Sequence, residues 1–187
     1  IYIGFFMDEL TPEWIFSSKN HNWFAYQLGY RTDDLIFQNS SFIIEYNWTD
    51  QRIYKHKYKI NDFYSHGEPL GFWAGPHSEE LFASYSFTVG YSEISIDYSP
   101  VKRGLISDES TITNYNDTYN SRYSDGYELR NYFSAKMQTA SKIKGLSYIF
   151  GINQIRFDNN RLIDDFSVSN KYSIELGIFY NYVSISY

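Results

Sequence analysis

A period of two runs through this chain, because apolar side chains alternate with polar or small ones along most of its length. In residues 24–31, for example, Phe24, Tyr26, Leu28 and Tyr30 are separated by small or polar residues. Successive side chains of an extended strand point to opposite faces, so this alternation predicts strands rather than helices. We therefore expect an all-β protein whose strands each have one apolar face.

The same pattern predicts eight or nine strands and leaves two long polar connections between them. The predicted strands lie near residues 1–7, 22–31, 36–48, 51–60, 79–89, 91–100, 128–140, 143–157 and 171–187. The long connections are residues 61–78 and 107–127, the second of which is rich in Ser, Thr, Asn, Asp and Tyr. Residues 8–22 break the alternation, and Thr11-Pro12-Glu13 predicts either one short helical turn or a loop.

The aromatic content separates two architectures that share this pattern. The 187 residues include 20 Tyr, 15 Phe and 4 Trp, more rings than an ordinary soluble core requires. A soluble sandwich or barrel fills a closed core mainly with Val, Ile and Leu. An outer-membrane barrel instead turns its apolar face to lipid, collects Tyr and Trp at the membrane interfaces and has a polar interior. The composition favours a transmembrane antiparallel up-and-down β-barrel of the outer-membrane type, with a soluble all-β protein as the alternative.

Charge and cysteine content narrow the classes of partner. With 16 Lys+Arg against 22 Asp+Glu, the net charge of −6 removes the long-range attraction that nucleic acid binding uses. The absence of cysteine excludes disulfides and Cys-ligated metals. The longest uncharged stretches, 81–92 and 176–187, are shorter than the roughly 20 residues of a membrane-spanning helix. A chain that opens at Ile1 without a secretory leader is expected to be a processed protein or a fragment.

The end of the chain also follows the strand pattern. Val183, Ile185 and Tyr187 alternate with polar or aromatic neighbours, so the sequence stops on an aromatic residue within a strand. Outer-membrane barrels resemble this, because their last strand commonly ends in an aromatic residue that the barrel-insertion machinery reads. The chain is thus expected to meet that machinery and outer-membrane lipid, although an ordinary edge strand ending in Tyr is the alternative.

Residues 42–104 carry the most specific signal in the sequence. They contain an EY strand, a partner strand with Arg and Tyr, and a loop of the form Y-x-H-G-x-P-L-G followed by G-P-x-S-x-E. These positions are Glu45, Tyr46, Arg52, Tyr54, Tyr64, His66, Gly67, Pro69, Leu70, Gly71, Gly75, Pro76, Ser78 and Glu80. The region resembles the motif region of the Wzi-type capsule assembly proteins.

That resemblance implies a function and a location. It implies a non-enzymatic, lectin-like barrel in the bacterial outer membrane, which binds capsular polysaccharide and attaches or assembles capsule at the cell surface. Members of the family are longer, so this chain would be the C-terminal part of a larger barrel or a shorter relative, and we expect a monomer. The alternative functions are an adhesion or structural barrel and, less favoured, an outer-membrane phospholipase or protease.

The loop within this region supplies the candidate binding residues. Its glycines permit backbone conformations closed to other residues and its prolines fix φ, so the loop is expected to hold one definite shape. Aromatic faces suit the flat faces of sugars, and carboxylates can bind hydroxyl groups. The predicted polysaccharide-binding residues are Tyr64, His66, Glu68, Trp73, His77 and Glu80. Alternatively, the loop folds inward and closes the barrel, and neighbouring strands satisfy His66 and Glu68.

No motif predicts catalysis, a metal or a cofactor. The carboxylate doublets at 8–9, 33–34, 79–80 and 164–165 would point to opposite faces of a strand. The four histidines lack the H-E-x-x-H spacing, and no G-x-S-x-G sequence occurs. We therefore expect no catalytic residues and no cofactor.

Overall fold

A computed structural model describes residues 1–7, 12–14, 23–53, 64–65, 68–69, 71–104, 122–123, 126–158 and 168–180. It contains ten strands and one 3₁₀ turn at Pro12–Trp14. The strands are β1 (Tyr2–Met7), β2 (Phe24–Asp33), β3 (Ser40–Thr49), β4 (Tyr64–Ser65), β5 (Glu68–Pro69), β6 (Ser78–Val89), β7 (Ser92–Gly104), β8 (Tyr127–Ala140), β9 (Leu146–Asp158) and β10 (Val168–Tyr180). No helix among these residues has the length and apolar character that crossing a membrane requires.

Eight of the strands form one antiparallel sheet in the order β1-β2-β3-β6-β7-β8-β9-β10. Each strand pairs with the strand that precedes it in this series, and β4 and β5 form a separate two-stranded ladder. The two edge strands, β1 and β10, pair with only one neighbour each, so the sheet is open. The prediction of an all-β, antiparallel, up-and-down arrangement is confirmed.

Eight of the nine predicted strands correspond to strands of the large sheet, although the last, predicted at 171–187, is described only as far as Tyr180, and residues 181–187 lie outside the described part of the chain. In the ninth predicted strand, 51–60, the first three residues are not in a strand. Residues 51–53 turn away from the sheet, and residues 54–60 lie outside the described part of the chain. The cause is Asp50, whose carboxylate accepts a hydrogen bond from the backbone N–H of Arg52 at 3.1 Å. This local bond ends β3 and redirects the backbone. Of the two alternatives for Thr11-Pro12-Glu13, a short helical turn or a loop, the structure has the turn, a 3₁₀ turn at Pro12–Trp14.

Strand β7 runs four residues further than the sequence indicates. The sequence predicts the end of this strand near residue 100, and proline, which lacks a backbone N–H, is uncommon inside a sheet. The ladder to β8 nevertheless places Pro100 opposite Asn131, and pairing with β6 resumes where Val101 faces Glu80. The longer strand carries Lys102 and Gly104 beyond the position predicted from the sequence.

The connections of the large sheet alternate between short and long. At one end, called the turn end, residues 34–39, 90–91 and 141–145 join successive strands. At the opposite end, called the loop end, residues 8–23, 50–77, 105–126 and 159–167 join them. Both polar connections singled out in the sequence therefore leave the same end of the sheet. Short turns at one end and longer loops at the other are typical of outer-membrane barrels.

One face of the sheet, called the outer face, is apolar and exposed. On β10 it carries Tyr172, Ile174, Leu176, Ile178 and Tyr180, whose exposed fractions range from 58% to 77%. The register places these side chains in line with apolar residues on all seven of the remaining strands of the sheet. This outer band includes Ile3, Phe5, Leu28, Tyr30, Ile44, Leu81, Phe87, Ile96, Tyr98, Phe133, Met137, Phe150 and Ile152. Water-soluble monomers rarely expose a contiguous apolar surface of this extent.

The opposite, inner face is mainly polar and held together by side-chain hydrogen bonds. Ser84 donates to the carboxylate of Asp97 at 2.6 Å, and the ammonium group of Lys136 lies 3.3 Å from the carboxylate of Glu175. Among the described residues, buried apolar side chains are few and lie at the loop end: Trp23, Ala25, Ile53, Ala74 and Val101. The protein thus places a small core at the loop end, while most of its apolar surface faces outward.

Candidate functional site

Residues 71–78, called the cap, fold over the loop end of the inner face. The hydroxyl of Thr49, at the end of β3, donates to the carbonyl of Gly75 at 2.9 Å and accepts from the backbone N–H of Ser78 at 2.9 Å. The Ser78 hydroxyl donates to the carbonyl of Ala74 at 2.9 Å. These groups are buried, so their bonds are protected from water. The cap therefore has a fixed shape, as its glycine and proline content predicts.

A cavity of about 570 Å³ lies between the cap and the inner face. Its lining comes from six strands and the cap: Gln27, Glu45, Asn47, Phe72, Trp73, Glu80, Phe82, Ser99, Tyr132 and Ile155. Residues on six neighbouring strands can surround one cavity only if the sheet curls, so the inner face is concave here. The cavity combines aromatic rings with carboxylate, amide and hydroxyl groups.

Glu80 is the organising group of this cavity. Its carboxylate is 4% exposed and accepts hydrogen bonds from three side chains. The indole N–H of Trp73 donates at 3.1 Å, the amide of Asn47 donates at 2.9 Å, and the Ser99 hydroxyl donates to the same oxygen as the indole. Three donors satisfy a buried carboxylate and fix its direction. Glu80 thereby holds the Trp73 ring, which is 52% exposed, across the cavity.

A second carboxylate, that of Glu45, also lines the cavity. Glu45 lies on β3, two residues before Asn47 and on the same face of the sheet. It accepts hydrogen bonds from the hydroxyl of Tyr2 and, at 3.0 Å, from the amide of Gln27. The Tyr2 ring reaches Glu45 by lying over Gly29, where a Cβ atom would come within 2.1 Å of the ring. A glycine at that position of β2 is what lets the edge strand contribute to the site.

The cavity offers aromatic faces beside groups that donate and accept hydrogen bonds. Sugar rings present flat C–H faces, which pack on aromatic rings such as Trp73 and Tyr132. Their hydroxyl groups both donate and accept, and the amides and carboxylates of Gln27, Asn47 and Glu45 offer both functions. Because these groups are already fixed by the sheet, little side-chain entropy would be lost when a ligand binds.

The structure brings together two of the six residues predicted from the sequence and places a third elsewhere. Trp73 and Glu80 meet in the cavity through their hydrogen bond. His77 is 4% exposed and does not line the cavity. Tyr64 and Glu68 lie in the β4–β5 ladder, but their side chains, like all of His66, are outside the described part of the structure.

His77 is buried at the loop end, in contact with Tyr123. Its ring stacks on Tyr123 with centroids 4.8 Å apart, and its Nε2 accepts the backbone N–H of Tyr123 at 3.2 Å. Its backbone φ of 56° is in the left-handed region, and its N–H and C=O bond to Asp50 and Gly104. The His77 side chain thus lies against Tyr123, which belongs to the connection between β7 and β8.

Replacing Gly104 by Ala is expected to destabilise the loop end, because the new Cβ would lie 2.1 Å from the His77 ring. Overpacking of this kind costs about 1–3 kcal/mol in free energy of unfolding. Gly177→Ala is the matched control, since its Cβ would meet Ile149 at an ordinary 3.4 Å. Urea unfolding in detergent micelles measures both. Equal stability of the two variants would contradict the observed packing of His77 against Gly104.

Sequence reasoning missed the polar floor of the cavity. Glu45 belongs to the quoted EY strand, but Gln27, Asn47, Ser99 and Tyr132 were not singled out. The sequence indicates only that these residues lie on the polar face of their strands, and many other residues share that property. Only the register shows that these particular positions lie under the cap.

No protein-family model, curated protein sequence or solved structure matches this chain. Within the ranges that the structure describes, no three His, Cys, Asp or Glu side chains gather as they would around a metal ion. The case for a function therefore rests on the two faces of the sheet and on the cavity beneath the cap.

Proposed function

We propose that this chain forms a wall of a bacterial outer-membrane β-barrel and binds surface polysaccharide in the cavity beneath the cap, without catalysis. In this role it attaches or assembles capsule at the cell surface. One observation carries the proposal: the sheet has an exposed apolar outer face and a polar, concave inner face that holds an aromatic-lined cavity at its loop end.

The outer band supports contact with lipid. On β10, Tyr172 and Tyr180 flank Ile174, Leu176 and Ile178, which places rings at the two ends of an aliphatic stretch. Aromatic girdles on either side of an apolar band are the pattern of transmembrane barrels. From Tyr172 to Tyr180 the strand rises about 27 Å, or about 20 Å of height at the usual barrel tilt. This is close to the band height of about 25 Å in such barrels.

The edge strands β1 and β10 each have one side on which no strand is paired. Within hydrocarbon every backbone N–H and C=O must have a partner, so an open edge is not tolerated. Strands β1 and β10 run antiparallel, since an even number of strands alternates between them. We propose that these edges are satisfied by pairing with each other or with further strands of a larger barrel.

The cavity supports a polysaccharide as the ligand. It lies at the loop end, which in outer-membrane barrels faces outward from the cell. Trp73 offers an exposed ring that is already oriented by Glu80, and the inner face supplies hydrogen-bonding groups next to it. The three hydrogen bonds on Glu80 favour a binding role over acid–base catalysis, because side chains of the protein already occupy both of its carboxylate oxygens.

The proposal is tested by titrating the folded protein in detergent micelles with fragments of capsular polysaccharide. Saturable binding with a change in tryptophan fluorescence is expected, because Trp73 lines the cavity. Glycogen fragments of equal size serve as the control ligand. A folded protein that shifts on a denaturing gel when unheated, but binds no capsular fragment at millimolar concentration, would count against the polysaccharide role and leave the barrel in place.

A further inference from the structure

At the loop end the outer face is no longer purely apolar, because two cationic side chains lie there among three aromatic rings. This rim cluster consists of Trp48, Lys102, Arg122, Tyr123 and Tyr127. Lys102 lies on the outer face of β7, four residues past Tyr98, which belongs to the outer band. Four residues correspond to about 13 Å along a tilted strand, so Lys102 stands just above the apolar band.

The ammonium group of Lys102 is held by rings and has no carboxylate within ion-pair distance among the described residues. Its Nζ lies 4.1 Å from the ring centre of Tyr123 and 4.3 Å from that of Tyr127. Glu79 faces Lys102 across the ladder, but its carboxylate accepts the Tyr46 hydroxyl at 3.0 Å. Cation–π contacts orient the ammonium group and leave its charge uncompensated.

Arg122 brings a second positive charge to the same place. Its two terminal nitrogens donate to the backbone carbonyls of Thr49 and Ser78 at 2.8 and 2.9 Å, which are neutral acceptors. Its guanidinium carbon lies 4.7 Å from the Trp48 ring centre and 4.8 Å from that of Tyr123. Lys102 and Arg122 therefore share the Tyr123 ring, and Glu79 faces Lys102 across the ladder.

The Tyr123 ring, which both cations contact, is itself held in place by packing. One of its contacts is the stacked His77 ring, and Gly104 leaves space for that ring. Burial raises the pKa of the Tyr123 hydroxyl well above its ordinary value, against the opposing effect of Arg122. The Tyr123 hydroxyl therefore stays protonated at physiological pH.

We infer that Lys102, supported by Arg122, binds the phosphate of an anionic lipid headgroup at the rim of the outer face, an inference that rests on the proposed contact of this face with lipid. A headgroup phosphate lies at the boundary between hydrocarbon and water, which is the level of the rim cluster. Lys102 would contact the phosphate directly. Arg122 adds positive charge and holds Tyr123 in position, so it acts as a positioning residue. Trp48 and Tyr127 supply amphipathic rings of the kind that favour this depth.

Native mass spectrometry of the full chain, released from micelles that contain equal amounts of phosphatidylglycerol and phosphatidylcholine, tests this inference. Retention of phosphatidylglycerol over phosphatidylcholine is expected, and Lys102→Gln should lower that preference about fivefold, the effect of one basic residue near an anionic surface. Lys102→Arg should restore most of it. Lys136→Gln is the matched control, because it removes the same charge from the inner face. Inorganic phosphate at the lipid concentration should not compete.

The possible outcomes separate the two proposals. Equal preference for phosphatidylglycerol in the wild type, Lys102→Gln and Lys136→Gln would overturn the headgroup site while leaving the barrel intact. A wild-type protein that associates with no lipid and stays monodisperse without detergent would overturn the membrane role, and the headgroup site with it. If Lys102→Gln does not fold, the salt dependence of the wild-type protein provides the test. Its preference for phosphatidylglycerol over phosphatidylcholine must fall as the salt concentration is raised, because screening weakens an exposed charge pair. A salt-independent preference would overturn the site.

Discussion

Replacing Leu176 by Arg is expected to destabilise the folded, lipid-inserted protein by about 2–4 kcal/mol, which is the cost of a basic residue near the middle of a lipid-facing band. Leu176 lies at the centre of the band on β10 and is 77% exposed. In water such an exposed position would tolerate Arg at almost no cost. The size of the effect therefore reports what the outer face contacts.

Asn170→Arg is the matched control for Leu176→Arg. Asn170 lies on the same strand and the same face, but on the loop-end side of Tyr172 and outside the band. The depth dependence of charged residues in barrels predicts a cost of about 0–1 kcal/mol there. Both variants are compared by urea titration in phosphatidylcholine vesicles, with unheated gel migration as the measure of folding. Similar stabilities for the two variants would contradict a lipid-facing outer band.

Replacing Trp73 by Ala is expected to weaken binding of capsular polysaccharide fragments at least 30-fold. The central aromatic anchor of a binding site commonly contributes about 2 kcal/mol or more when it is truncated. Trp73 is such an anchor, because it covers the cavity and Glu80 fixes its indole N–H. Isothermal titration calorimetry in micelles measures the change without relying on tryptophan fluorescence.

Two further variants distinguish the contribution of the Trp73 ring from that of its hydrogen bond to Glu80. Trp73→Phe keeps an aromatic face but loses the hydrogen bond to Glu80, so an intermediate loss of affinity is expected. Phe37→Ala removes an exposed ring at the turn end, where it contacts only Phe87 among the ring pairs of the described residues, and it should leave binding unchanged. If Trp73→Ala binds as tightly as Phe37→Ala, the cavity beneath the cap is not the polysaccharide site.

The limits of sequence reasoning are clearest at the loop end. The turn after β3 contains a bond from the Arg52 N–H to the Asp50 carboxylate, and the alternation of the sequence wrongly predicts a strand there. His77 resembles an exposed ligand residue in a loop motif, yet its contact with Tyr123 joins two segments far apart in the chain. A pattern of neighbouring residues holds no information about such contacts, because they form only when the sheet is assembled.

By itself the sequence determined the strands and their two faces, because the alternation of side chains in an extended backbone is a local property. It also indicated Trp73 and Glu80, since both lie in the most distinctive motif. Only the tertiary structure decided that these two residues meet, that six strands curl around one cavity and that Lys102 and Arg122 share the Tyr123 ring. Each of those facts depends on strand register and on where the long connections cross the sheet, and both are fixed by contacts between residues distant in sequence.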